Sequence, residues 1–91
     1  MADDFDDFDI ERDLARAEMT LTVRVERRRY DKPVTVVEGF EGDVVDLDEL
    51  ASTLKGALGA GGTAKENHIE IQGDHADRIP ALLREEGFTV E

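Results

Sequence analysis

Residues 20–38 run TLTVRVERRRYDKPVTVVE. Leu21, Val23 and Val25 alternate with Thr22, Arg24 and Glu26, the period-two pattern of a strand with one buried face. Pro33 opens a second β-branched run through Val34, Thr35, Val36, Val37 and Glu38. Proline is tolerated at a strand start because no ladder donor is needed there. Between the two runs lies Arg27-Arg28-Arg29-Tyr30-Asp31-Lys32. The stretch therefore predicts a β-hairpin with a long, basic tip spanning 27–32.

Towards the C-terminus the period changes from two to helical. Asp46, with Glu49 three residues on, forms a capping box, and Val45 and Leu50 occupy the staple positions around it. Leu47, Leu50, Ala51, Leu54 and Leu58 make one apolar stripe, and Gly59 stops the helix. After the glycine corner 59–62, the segments 63–65 and 68–72 predict a second hairpin. Its Ile69 and Ile71 face the core, while His68, Glu70 and Gln72 face out. Gly73 breaks the strand, and Asp74 is expected to cap a second helix with apolar positions Ala76, Ile79, Leu82 and Leu83. Pro80 would then sit beyond the first turn and remove a backbone bond. Either that turn is kinked or the regular helix starts nearer Ile79, and the residues alone leave both open. Gly87 suits the left-handed position after the helix, with Phe88 packing back on Leu83, and Thr89-Val90 suggests a short last strand. The order ββαββα(β) predicts an α+β two-layer sandwich, with one mixed sheet of four to five strands and two helices on one face.

Upstream of residue 20 the character differs. Residues 1–13 hold seven acids and one base, with Phe5, Phe8 and Ile10 interleaved. Residues 1–19 are expected to form an acidic, disordered tail, weakly helical or extended over 10–19, and residues 20–91 the folded domain. In a partnered reading, Phe5 and Phe8 anchor another protein.

Ninety-one residues allow one domain with a modest core. The absence of cysteine excludes a disulfide framework, a thiol nucleophile and a thiolate zinc site. No apolar run reaches the roughly 18 residues of a membrane span, and the acidic N-terminus is unlike a signal peptide. A soluble, cytoplasmic protein is expected. Twenty-three acids against eleven bases give a net charge of −12. The acids are spread along the chain, and only Lys32, Lys55 and Lys65 are lysines. That composition suits a halophilic surface, because in molar salt the screening length falls to roughly 3 Å and close contacts outweigh net charge. The plainer alternative is an ordinary acidic protein.

Within this acidic chain Arg24, Arg27, Arg28, Arg29 and Lys32 place five of the eleven bases in nine residues. Arginine's planar fork makes paired bonds to phosphate, and Tyr30 could stack on an exposed base. RNA contact at the hairpin tip is one reading. The other is internal pairing with acids such as Glu26 and Glu38. Gly61-Gly62-Thr63, with Lys65 beyond, lacks the ending of a phosphate-cradling loop. It reads as a helix cap running into a turn, or as bare backbone that approaches RNA closely. Gly73 and Asp74 read as a turn and a cap. His68 and His75 match no metal spacing, no nucleophile–base–orienter set suggests itself, and no cofactor or metal site is expected.

Several stretches together resemble the archaeal branch of the translation initiation factor 1 family, the start-codon selection factors. They are Val23 to Tyr30, Val34 to Phe40, Gly61-Gly62-Thr63, Ile69 to His75, and Glu86-Gly87-Phe88. The similarity covers residue 20 to the end. The resemblance implies an α/β plait that binds the small ribosomal subunit near the P site, opposes initiator tRNA locking at wrong codons, and has no enzymatic activity. It assigns the decoding-site contact to Arg27, Arg28, Arg29 and Lys32. A second contact falls to the first helix, where Lys55 is the one base, and Gly61, Gly62, Thr63 and Lys65 flank that surface. It implies rRNA beside mRNA and initiator tRNA as partners, with other initiation factors as further candidates, and a monomer. The chain departs from the family in its single helix lysine, in Asp31 within the basic tip, in Pro80, and in lacking a cysteine zinc knuckle. The alternatives are a protein-interaction module and a divergent paralogue acting in ribosome recycling or non-standard initiation.

Overall fold

The computed structural model describes residues 14–41 and 45–91, so residues 1–13 of the expected 1–19 tail and part of the turn before the first helix lie outside the described residues. The elements are β1 (Thr20–Arg28), a single 3₁₀ turn (Arg29–Asp31), β2 (Lys32–Glu38), α1 (Leu47–Leu58), β3 (Gly62–Ala64), β4 (Ile69–Gln72), α2 (Ile79–Glu85) and β5 (Thr89–Val90). Residues 14–18 add a helical turn ahead of β1. The five strands form one sheet in the order β3-β4-β2-β1-β5. All pairs are antiparallel except β1 with β5, so the sheet is mixed.

The register explains why both helices lie on one side. Val23 pairs with Val37, and Val37 with Ile69, while Thr35 pairs with Ile71. These residues share a face because side chains alternate along a strand. Leu21, Val37, Ile69 and Ile71 from the sheet, Leu50, Ala51 and Leu54 from α1, and Ile79 and Leu83 from α2 form a single buried cluster. The α+β sandwich read from the sequence is the fold observed.

Local chemistry sets the boundaries. Asp46 accepts from the Glu49 N–H at 3.1 Å, and Gly59 ends α1 in the left-handed region at φ 64. The Phe88 N–H donates to the Leu83 carbonyl at 3.0 Å, which fixes the return of the chain into β5. Pro80 falls in the first turn of α2, where its missing N–H would have no partner in any case. The regular helix thus starts at Ile79. Asp74, expected as the helix cap, instead accepts from the Ala76 N–H at 3.3 Å and closes a separate turn.

The hairpin tip is shorter than expected. Arg27 pairs with Pro33 and Arg28 with Lys32, so the ladder runs on through the polar segment and leaves only Arg29, Tyr30 and Asp31 outside it. Tyr30 and Asp31 are both left-handed, at φ 62 and φ 59, which reverses the chain within three residues.

At the other end of β1 the helical turn 14–18 meets the segment after α2. Arg16 donates to the Glu86 carbonyl at 2.8 Å and lies 5.2 Å from the Phe88 ring centre. Thr89 Oγ1 donates to the Ala17 carbonyl at 2.6 Å.

Candidate nucleic-acid interface

The face of the sheet opposite the helices carries the residues of the other parity. Arg24 lies beside Val36, and Val36 beside Glu70; Glu26 lies beside Val34, and Val34 beside Gln72. On this face the charges form a chain of contacts. Arg24 Nε donates to Glu38 Oε1 at 2.9 Å, and its other nitrogen meets Glu26. Arg28 donates to Glu26 at 2.8 Å and reaches over β2 to hold both oxygens of Glu70 at 3.1 Å. His68 Nε2 lies 3.0 Å from Glu70. Val36, in the middle of this face, is only 1% exposed although it points away from the helices.

These bonds shift the charges they join. Arg28, then Arg24, holds Glu26 below the usual carboxylate range, and Arg24 does the same to Glu38. Arg28, then His68, lowers Glu70. In return Glu38 and then Glu26 raise the Arg24 guanidinium, and Glu70 and then Glu26 raise that of Arg28. Internal pairing therefore takes up Arg24 and Arg28, with Glu26 and Glu38 the partners expected from the sequence and Glu70 an added one.

The other cations of the hairpin are placed differently. Arg27 bonds the Asp31 carbonyl weakly at 3.4 Å, and its Nε lies 4.0 Å from the Asp31 carboxylate. Arg29 and Lys32 are exposed and form no ion pair with any described residue. Tyr30 projects between them at 85% exposure. The tip thus keeps Arg27, Arg29 and Lys32 available around an exposed aromatic ring.

The glycine corner lies at the same end of the sheet. Gln72 donates its backbone N–H to the Gly61 carbonyl at 2.8 Å, and Gly62 pairs with Ile71. A Cβ on Gly62 would stand 2.5 Å from the Glu70 carbonyl oxygen, so close approach of β3 to β4 requires a glycine there. Thr63 and Lys65 run away from the tip, with Lys65 bonding the His68 carbonyl through its N–H. Lys55 sits in the last turn of α1, in the helical layer. The fold thus brings Arg27, Arg28, Arg29, Tyr30, Lys32 and Gly61 to one end of the sheet, with Lys65 beyond the other end of β3.

A model of the family described as "Translation initiation factor SUI1" matches residues 17–89. The chain belongs to the SUI1 translation initiation factor family. It is 47% identical over 79 residues to a protein translation factor SUI1 homolog of Methanosarcina mazei, covering 87% of this chain and 78% of that one. A SUI1 homolog of Sulfolobus acidocaldarius is 49% identical over 80 residues, 88% of this chain and 81% of its own. One from Pyrococcus horikoshii is 45% identical over 80 residues, with the same shares.

Two features of this SUI1 domain escaped the sequence reading. Arg78 ties the loop before α2 to α1: its guanidinium donates to the Ala57 carbonyl in the last turn of α1, 3.5 Å away. Gln72, read as an outward-facing strand residue, and Gly73, read as a turn, face the hairpin turn across a groove that Arg28, Arg29, Lys32, Pro33 and Val34 also line. No sequence signal marks that groove, because it exists only through the β2–β4 pairing.

Proposed function

We propose that this protein is a translation initiation factor that binds the small ribosomal subunit near the P site and raises start-codon fidelity without catalysing a reaction. The observation that carries the reading is the hairpin turn, where Arg27, Arg29 and Lys32 surround an exposed Tyr30 in a chain of net charge −12. Membership of the SUI1 family supports it. The cations meet phosphate at short range, where bonds survive salt better than diffuse attraction does. The turn occupies space beside the codon–anticodon helix and adds a cost to tRNA accommodation. Correct pairing overcomes that cost and a mismatch does not, so discrimination arises from a difference in binding. The protein acts in the cytoplasm as a monomer and needs no cofactor. Among the described residues no helix is long and apolar enough to cross a membrane.

The test is co-sedimentation of the full chain with purified small subunits, mRNA and initiator tRNA. Arg27→Glu with Arg29→Glu should weaken binding by about tenfold or more, with circular dichroism unchanged. Undiminished binding of that double variant would show that the turn is not the contact, and a protein-interaction surface elsewhere would take its place.

A further inference from the structure

We infer that the groove between the hairpin turn and the end of β4 holds one unstacked nucleotide of single-stranded RNA. The inference rests on the RNA-binding reading above and specifies what the sheet face contributes to it.

The groove measures about 370 Å³, within the ~300–1,000 Å³ usual for small-ligand sites. Its sides differ in chemistry. Arg28, Arg29 and Lys32 form the cationic wall, Pro33 and Val34 the floor, and Gln72 and Gly73 the far wall. A bare anion would need the cations and nothing more. A floor of proline ring and branched aliphatic suits the flat face of a base or a ribose. Arg29 and Lys32, which no described acid engages, are placed for the phosphates on either side. The Gln72 amide offers both a donor and an acceptor to a base edge.

Hydrogen bonds fix the backbone of the far wall, from which that amide extends. The Gly73 N–H donates to the Pro33 carbonyl at 2.9 Å, and buried Thr35 Oγ1 donates to the Gly73 carbonyl at 2.7 Å. The same hydroxyl accepts from the His75 N–H at 2.9 Å. His75 Nε2 lies 2.9 Å from the Gln72 carbonyl, which can only accept, so Nε2 carries the proton. Gly73 has φ +102, and a Cβ there would meet His75 Nε2 at 2.7 Å. Beside the amide, a Cβ on Gly61 would stand 3.2 Å from Gln72 Oε1, so the glycine leaves the side chain its room.

A groove of this size accepts a base splayed from its stack, whereas duplex RNA presents phosphates and a shallow minor groove instead. The experiment is fluorescence anisotropy of the full chain with labelled adenosine, uridine and cytidine hexanucleotides, with a short RNA duplex, and with a hexaglutamate competitor. Small-subunit co-sedimentation runs in parallel. Single strands should bind about tenfold more tightly than the duplex, with one base preferred. Gln72→Leu, at an exposed position, should remove that preference and weaken the preferred hexamer by about tenfold. Four results would overturn the pocket: no hexamer binding up to millimolar protein, duplex bound as tightly as single strands, hexaglutamate competing as well as RNA, or Gln72→Leu behaving as wild type. If the Arg27→Glu/Arg29→Glu chain loses the subunit while Gln72→Leu leaves hexamer binding unchanged, the pocket fails and the initiation-factor reading stands.

Discussion

Thr35 lies where β2, β4 and the loop before α2 meet, fully buried, with its hydroxyl both donating and accepting. Thr35→Val keeps the shape but strands the Gly73 carbonyl and the His75 N–H. Each buried group left without a partner costs about 1–3 kcal/mol, so we expect a loss of about 2–4 kcal/mol in urea denaturation. A loss under about 0.5 kcal/mol would mean that the network does not hold the loop. Tyr30 shows the opposite balance. It is a bulky residue in the left-handed region, a placement that costs on the order of 1–3 kcal/mol and persists where other demands maintain it. Tyr30→Asn, which suits that backbone, should raise stability by up to about 1 kcal/mol. The same change should weaken subunit binding, because the ring is lost. Stabilisation with unimpaired binding would remove Tyr30 from the interface. Neither effect was legible in residue types. Thr35 reads as one more β-branched strand residue, and the φ of Tyr30 depends on how far the strands pair beneath it.

The elements divide by how local their determinants are. α1 was legible in full, since Asp46, Leu50, Leu54 and Gly59 act within one helix. The hairpin was legible as a hairpin but not in its length, because Arg27 and Arg28 join the ladder through cross-strand partners that composition does not reveal. The start of α2 depends on a contact from His75 to Thr35, forty residues away. The ion-pair chain on the outer face was half legible. Glu26 and Glu38 lie on the hairpin itself, whereas Glu70 reaches Arg28 only because β4 is next to β2. That chain has a pH signature. Glu26, Glu38 and Glu70 are held below their ordinary pKa in the folded state. Their contribution is therefore complete above the unfolded value of about 4.3 and is lost as pH falls through the folded values. Wild type and Glu26→Gln should differ in urea midpoint at neutral pH and converge as pH drops below about 4. A difference that persists unchanged in acid would mean that the bonds to Arg24 and Arg28 contribute nothing to folding.

Taken whole, the chain carries a charge of −12, and its described residues bury a core of about a dozen side chains. Self-repulsion opposes compaction at low ionic strength, and salt relieves it. The melting temperature should rise with KCl from millimolar to molar concentrations. A fall across that range would show that the surface ion pairs outweigh the repulsion and would count against a salt-adapted surface. The sequence conveyed the sign of the charge and its concentration at one hairpin. It could not convey that two of the hairpin's arginines bind inward, since that requires the register of three strands.

Because Arg16, Ala17, Glu86 and Thr89 clasp one another beside the start of β1, a handle fused after Glu91 emerges at the pole opposite the turn. β1 spans roughly 26 Å from there to the turn at about 3.3 Å per residue. A bead, dye or surface tether attached at that pole presents the arginine turn outward. An immobilised format of that kind leaves the turn free to meet a partner in solution.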